Sequence, residues 1–138
     1  MGRLKVKRPK QVQGRFTRII QKSAPHPNSL TPLISFKHVM QKYCPSNCEM
    51  AELRSLTRRL CDWSKMTWQQ IIQAPRQGLG LETIGDGSLK QAPPRITPDQ
   101  RVLSFRIHGI ARMLGIRDGQ TLFVFAVDRT GDWYDHGS

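Results

Sequence analysis

Arginine, tyrosine and histidine residues in the last third of this sequence are the side chains best suited to chemistry on a phosphate. Arg106, Arg112 and Arg117 fall in consecutive segments with strand-like patterns, and Tyr134 and His136 follow near the end of the chain. A guanidinium group binds phosphate oxygens through paired hydrogen bonds, while tyrosine and histidine can position or transfer a proton. We therefore predict a catalytic site of Arg112, Arg117, Tyr134 and His136, with Arg106 as a nucleic-acid contact beside it.

This site depends on the geometry of one strand. Arg112 and Arg117 are five residues apart, a spacing that puts them on opposite faces of a regular strand, and a β-bulge at Gly115 would return them to one face. In the alternative interpretation, the arginines line the solvated rim of the sheet and pair with Asp118 or Asp128.

Positive charge is concentrated at the start of the chain. The 138 residues carry 22 Lys or Arg against 10 Asp or Glu, a net charge of +12. No acidic residue precedes Glu49, whereas ten basic residues do: Arg3, Lys5, Lys7, Arg8, Lys10, Arg15, Arg18, Lys22, Lys37 and Lys42. Neutralising phosphates releases their condensed counterions, so we predict that the eight cations from Arg3 to Lys22 bind nucleic acid. The alternative is a solvated tail whose charge only aids solubility.

Length and composition predict a single cytoplasmic domain. A chain of this size supports one hydrophobic core, and it contains neither an apolar run long enough to span a bilayer nor a secretory signal. We expect Cys44, Cys48 and Cys61 to be reduced thiols, and no cofactor is predicted. Together with His38 they offer an alternative zinc site, although the spacing lacks a Cys-x2-Cys pair.

The apolar periodicity predicts an α+β fold in which a helix hairpin packs on a small, mainly antiparallel sheet. Residues 1–29 are predicted to form a basic arm with a proline-rich linker, and residues 30–138 a single domain. Helices are predicted over 48–63, capped by Ser46 or Asn47, and over 68–74, capped by Ser64 or Thr67. Strands are predicted at 33–36, 81–84, 102–107, 111–117 and 121–127, with a turn at Asp118-Gly119.

The three tryptophans have different predicted roles. Trp63 and Trp68 flank apolar helical stripes and are expected in the core. Trp133 lies in a polar stretch, and we predict that it stacks on nucleic-acid bases.

The C-terminal pattern resembles a family of small uncharacterised bacterial and mobile-element proteins, over about residues 33–137. The segments that carry the resemblance are Ile34-Ser35-Phe36-Lys37, Met66-Thr67-Trp68, Phe105-Arg106, Arg112, Gly115-Ile116-Arg117, Asp128 and Tyr134-Asp135-His136. More distantly, the layout is similar to messenger-RNA endonuclease toxins of the RelE and YoeB type.

The toxin resemblance implies metal-independent RNA cleavage by attack of the neighbouring 2′-hydroxyl on phosphorus. Arg112 and Arg117 would then stabilise the phosphorane, His136 would act as acid or base, and Tyr134 would position or donate a proton. It also implies RNA rather than DNA, a ribosome and a neutralising protein as partners. The alternative function is a non-catalytic nucleic-acid-binding or adaptor protein that uses its basic arm.

Overall fold

The computed structural model describes residues 24–135 and confirms the α+β class. The helices are α1 (Met50–Ser64) and α2 (Trp68–Gln73), and the strands are β1 (Leu33–Ser35), β2 (Leu81–Ile84), β3 (Val102–His108), β4 (Ala111–Asp118) and β5 (Thr121–Asp128). Short 3-10 helices occupy Pro27–Ser29, Gln41–Tyr43, Pro45–Asn47 and Asp86–Ser88. The predicted order of helices and strands is therefore confirmed within these residues.

The five strands form one mixed sheet in the order β1-β5-β4-β3-β2. β1 runs parallel to β5, and the other neighbouring pairs are antiparallel. Tight turns join β3 to β4 and β4 to β5, where Gly109 and Gly119 adopt φ angles of +57° and +63°. Glycine accepts this left-handed conformation without a Cβ penalty, which is why the predicted Asp118-Gly119 turn forms.

Local hydrogen bonds set the ends of the helix hairpin. The backbone N–H of Glu49 donates to Glu52 Oε1 at 2.7 Å, and the side chain of Thr67 accepts from the Gln70 backbone at 3.1 Å. Thr67 is thus the cap of α2, one of the two predicted residues. Glu49 caps α1, so the prediction of Ser46 or Asn47 was wrong, because the 3-10 turn Pro45–Asn47 separates those residues from the helix.

The sheet separates two hydrophobic clusters. On one face, α1 and α2 cover the sheet, and Trp63 and Trp68 are 1% and 0% exposed, which confirms their predicted core positions. On the other face, residues after β5 fold back over the strands, and Trp133 and Tyr134 pack with Phe125. The C-terminal segment therefore forms part of the core.

Within residues 24–135, no helix is both long enough and apolar enough to cross a membrane.

Candidate functional site: a basic groove beside helix α1

The structure does not bring Arg112 and Arg117 together. The register shift lies between Leu114 and Gly115, which pair with Ala126 and Val124. The extra residue is therefore on β5, not at Gly115. β4 keeps its alternation, and the two arginines point to opposite faces of the sheet. The prediction that a bulge at Gly115 places them in one site was wrong.

Arg117 lies on the helix-covered face and is held by three contacts. Its Nη2 donates to Asn28 Oδ1 at 2.6 Å, and its Nε donates to the Gly119 carbonyl at 2.7 Å. The guanidinium carbon lies 4.1 Å from the centre of the Trp68 ring, a cation–π arrangement. Burial lowers the pKa of Arg117. Arg117 therefore links the segment before β1 to the hairpin and to α2.

Arg112 and Tyr134 meet on the opposite face, but both are buried, at 5% and 3% exposure. Arg112 Nη1 donates to the carbonyls of Gly109 and Ala111 at 2.8 and 3.1 Å. The Tyr134 hydroxyl lies 2.5 Å from Ser104 Oγ. These polar groups are used in internal hydrogen bonds, which is the usual state of buried polar groups.

The protonation of this pair follows from its burial. Burial and the charge of Arg106 lower the pKa of Arg112, while Tyr134 and Glu82 raise it in part. Burial raises the pKa of Tyr134, partly opposed by hydrogen bonding to Ser104. The tyrosine is therefore a neutral phenol near neutral pH, next to an internally bonded arginine, an arrangement that stabilises the sheet.

The other residues of the predicted site have different outcomes. Trp133 is 0% exposed and contacts the rings of Tyr43 and Phe125 at 5.7 and 5.0 Å, so the prediction that it stacks on bases was wrong. Arg106 is half-buried and directly opposite Arg112 in the sheet register. His136 and the cations from Arg3 to Lys22 lie outside the described residues, so their roles remain predictions.

The alternative zinc site receives no support from the geometry. Among the residues that the structure describes, no three His, Cys, Asp or Glu side chains are grouped so that they could hold a metal ion.

An open groove lies where α1 meets the turn between β3 and β4, with a volume of about 470 Å³. It is lined by Ser55, Arg58, Arg59, Asp62, Leu79, Ile107, His108 and Gly109. We call these residues the α1 groove. Unlike the Arg112 region, it gathers charged and polar side chains at the surface.

Two contacts define the inner wall of the groove. Arg59 Nη1 donates to the Gly78 carbonyl at 2.6 Å. Trp63 Nε1 donates to the Leu79 carbonyl at 2.9 Å. Both bonds attach the loop before β2 to α1, so the Arg59 guanidinium has a fixed position.

The opposite rim contains His108, whose Nδ1 lies 3.4 Å from Ser55 Oγ. Near this rim, burial alone would raise the pKa of Glu52. Hydrogen bonds from Arg129 and the Glu49 backbone, with the charges of Arg129 and His108, lower it overall. Glu52 is therefore a carboxylate engaged by Arg129, whose Nε lies 2.5 Å from Glu52 Oε1.

A row of exposed cations borders the groove. Arg54 and Arg58 are exposed on the solvent side of α1, and Lys65, which directly follows the helix as its C-cap, is exposed as well. Within residues 24–135, no hydrogen bond or ion pair engages the three side chains. Positions 54, 58 and 65 fall on one helical face. We call these three residues the basic face of α1, and Arg58 belongs to both the face and the groove.

No residue of the α1 groove or of the basic face is among the predicted site residues, although their spacing in the sequence contained a signal. Arginines at positions 54 and 58, four residues apart in a predicted amphipathic helix, and Lys65 seven residues later indicate one cationic stripe. The contribution of His108 and Leu79 could not be read in the same way, because they come from distant parts of the chain.

Comparisons of the whole chain with known proteins find no matching family model, no matching curated protein and no matching solved structure.

Proposed function

We propose that this chain is a nucleic-acid-binding protein that contacts the phosphate backbone through the basic face of α1 and through its cation-rich first 23 residues. The observation that carries the proposal is the row of three exposed cations beside an open polar groove, none of which has a hydrogen-bond or ion-pair partner among residues 24–135. Cations without a protein partner can exchange counterions for phosphates with little competition from internal ion pairs.

The distribution of charge in the sequence supports this proposal. Residues 1–23 contain eight of the 22 basic residues and none of the ten acidic ones. Two cationic parts on one chain strengthen the attraction of a polyanion, because each phosphate contact adds to the electrostatic affinity. The resemblance stated above favours RNA over DNA as the ligand.

Binding has more support than catalysis as the proposed activity. Cleavage by the predicted set needs Arg112, Arg117 and Tyr134 around one phosphate. Arg112 and Tyr134 are buried with internal partners, and Arg117 faces the other side of the sheet. Electrostatic binding at α1 needs no such convergence.

The test is a salt titration of the full chain with a labelled single-stranded RNA of about 20 nucleotides, read by fluorescence anisotropy. The variant Arg54→Gln/Arg58→Gln/Lys65→Gln is expected to bind more weakly and to reduce the slope of log K against log salt by about 2, since each phosphate contact on a single strand contributes about 0.7. A DNA strand of the same sequence measures the preference for RNA.

A matched control removes three exposed cations elsewhere, in the variant Lys37→Gln/Lys42→Gln/Arg95→Gln. Both variants lose three charges, so a general charge effect would change both slopes equally. Equal slopes for the two variants, or salt-independent binding by the unmodified protein, would overturn the proposal.

A further inference from the structure

The α1 groove presents hydrogen-bond acceptors as well as donors. Arg59 and Asp62 lie three residues apart on α1, and both line the groove. No hydrogen bond or ion pair engages the Asp62 carboxylate within the described part of the chain. A groove built only for phosphate would gain nothing from a carboxylate, which repels an anion. The ligand that fits must therefore offer donors to Asp62 as well as acceptors to arginine.

The two arginines that line the groove, Arg58 and Arg59, differ in how firmly their side chains are held. The Arg59 guanidinium is fixed by its 2.6 Å bond to the Gly78 carbonyl and retains further N–H donors. Gly78 in turn belongs to a turn in which its own N–H donates to the Pro75 carbonyl at 2.9 Å. Groups held in place before binding lose less entropy when the ligand arrives. This favours Arg59 over the exposed Arg58 as the group that reads a ligand edge.

The hydrogen-bonding edges of the nucleobases narrow the choice of ligand. Guanine has two adjacent N–H donors, N1 and the N2 amine, which match the two oxygens of a carboxylate. It also has two adjacent acceptors, O6 and N7, which match the fork of an arginine. Adenine, cytosine and uracil lack one or both of these paired edges. Leu79 and Ile107 add apolar surface to the same groove, against which a base plane can pack.

We propose that the α1 groove binds a guanine base, with Asp62 accepting from N1 and N2 and Arg59 donating to O6 or N7. The inference rests on the proposed function, because the strand held by the basic face of α1 brings the base to the groove. The groove volume of about 470 Å³ lies in the range of small-molecule sites, about 300–1,000 Å³.

The test uses a uridine-only RNA of about 12 nucleotides and three versions in which the central base is guanine, inosine or adenine. The guanine strand is expected to bind about tenfold more tightly than the uridine-only strand, which corresponds to one good bidentate contact. The inosine strand, whose base lacks the N2 amine, is expected to gain less affinity than the guanine strand, and the adenine strand is expected to gain little. Equal gains for guanine and adenine would overturn the guanine assignment.

The Asp62→Asn variant tests the carboxylate. It is expected to bring the guanine-to-adenine ratio of affinities close to one and to retain binding of the uridine-only strand. The matched control is Asp86→Asn, which removes an exposed carboxylate in the 3-10 helix Asp86–Ser88 and is expected to keep the full ratio. An unchanged ratio in Asp62→Asn would overturn the role of Asp62.

Free nucleotides separate a base site from a strand effect. Millimolar guanosine monophosphate is expected to remove the extra affinity of the guanine-containing strand while leaving binding of the uridine-only strand largely intact. Adenosine monophosphate is expected to have no such effect. Equal competition by the two nucleotides would overturn the base assignment. Failure of the unmodified protein to bind the uridine-only strand would instead overturn the proposed function, so the two failures are distinct.

Discussion

Arg112 and Arg58 lie on opposite sides of the sheet and differ in burial and in hydrogen-bond partners. Arg112 is 5% exposed and donates to two backbone carbonyls beside the neutral phenol of Tyr134. Arg58 is exposed at the edge of a groove, and within residues 24–135 its side chain has no hydrogen-bond or ion-pair partner. The same side-chain type therefore stabilises the fold in one region and is available to a ligand in the other.

The difference shows why residue type alone is a weak guide to a site. A guanidinium has five N–H donors, and burial forces the protein to satisfy them internally. The Arg112 region contains the residue types expected for phosphate chemistry, but Arg112 Nη1 donates to backbone carbonyls and the Tyr134 hydroxyl is paired with Ser104. The α1 groove has fewer conspicuous residues in the sequence, yet Arg58 is exposed there and the Asp62 carboxylate has no hydrogen-bond or ion-pair partner within residues 24–135.

The largest expected effect is loss of stability in Arg112→Ala. Removing the guanidinium leaves the carbonyls of Gly109 and Ala111 without this donor and opens space beside Tyr134. We expect the free energy of unfolding to fall by about 3 kcal/mol, as for truncation of a buried hydrogen-bonded group. Urea denaturation measures this, and RNA affinity should be unchanged below the unfolding transition.

The control for this prediction is Arg95→Ala, an exposed arginine, for which we expect a change within about 0.5 kcal/mol. If Arg112→Ala kept full stability and lost RNA binding or cleavage, the buried region would be the functional one, and the comparison would be reversed.

The second-largest loss of stability is expected from a substitution that displaces the loop forming the inner wall of the α1 groove. A Cβ at Gly80 would clash with the Ala74 carbonyl oxygen, so Gly80→Ala must displace the loop that positions Arg59. We expect a loss of about 2 kcal/mol and a reduced preference for guanine. In Gly87→Ala the added Cβ meets nothing within 4 Å, so this variant should be nearly neutral in both measurements. Equal effects of the two substitutions would contradict a fixed groove wall.

Much of the fold could be predicted because its signals are local. Apolar periodicity identified both helices and all five strands, and Asp118-Gly119 identified the second hairpin turn. The β5 bulge could not be predicted, because it depends on how β5 aligns with β4 and not on a residue type within either strand. Because the extra residue lies on β5, β4 stays regular, and its alternation keeps Arg112 and Arg117 on opposite faces.

Local sequence patterns also could not predict that the C-terminal segment is buried. Trp133 stands between acidic and polar residues, which suggests an exposed loop. In the structure, Asp128 accepts from the backbone N–H groups of Gly131, Asp132 and Trp133 at 3.1, 3.0 and 3.0 Å. These bonds turn the chain back over the sheet and bury the indole. The polar residues of this stretch therefore make the turn, and its aromatic residues fill the core.

A smaller effect is expected from Tyr134→Phe, which removes the hydroxyl beside Ser104. We expect a loss of about 1 kcal/mol at pH 7. The pKa of Tyr134 is raised in the folded state, so its contribution is complete below the pKa of an unfolded tyrosine, about 10, and is lost as the pH rises through the folded value.

The stability difference between Tyr134→Phe and the unmodified protein should therefore shrink above about pH 10, as measured by urea unfolding across that range. A constant difference would show that the phenol has the same pKa folded and unfolded. Such a result would count against a closed, buried cluster in this region.

The smallest effect is expected at Arg129, which attaches the end of β5 to the helix that carries the groove. Its Nε contacts Glu52 Oε1 at 2.5 Å, with side-chain exposures of 32% and 15%. Arg129→Ala should lower the free energy of unfolding at pH 7 by less than Tyr134→Phe does, because solvent screens a partly exposed ion pair. The pKa of Glu52 is lowered in the folded state, so this contribution is present above the ordinary carboxyl range and is lost as the pH falls through the folded pKa. The stability difference between Arg129→Ala and the unmodified protein should thus be smaller at pH 3 than at pH 7.

The control is Arg101→Ala, whose partner Asp99 lies 3.7 Å away and whose side chain is 67% exposed. A loss in Arg101→Ala as large as that in Arg129→Ala would mean that attachment of α1 to β5 contributes no more than a surface ion pair, and the groove would then need another source of rigidity.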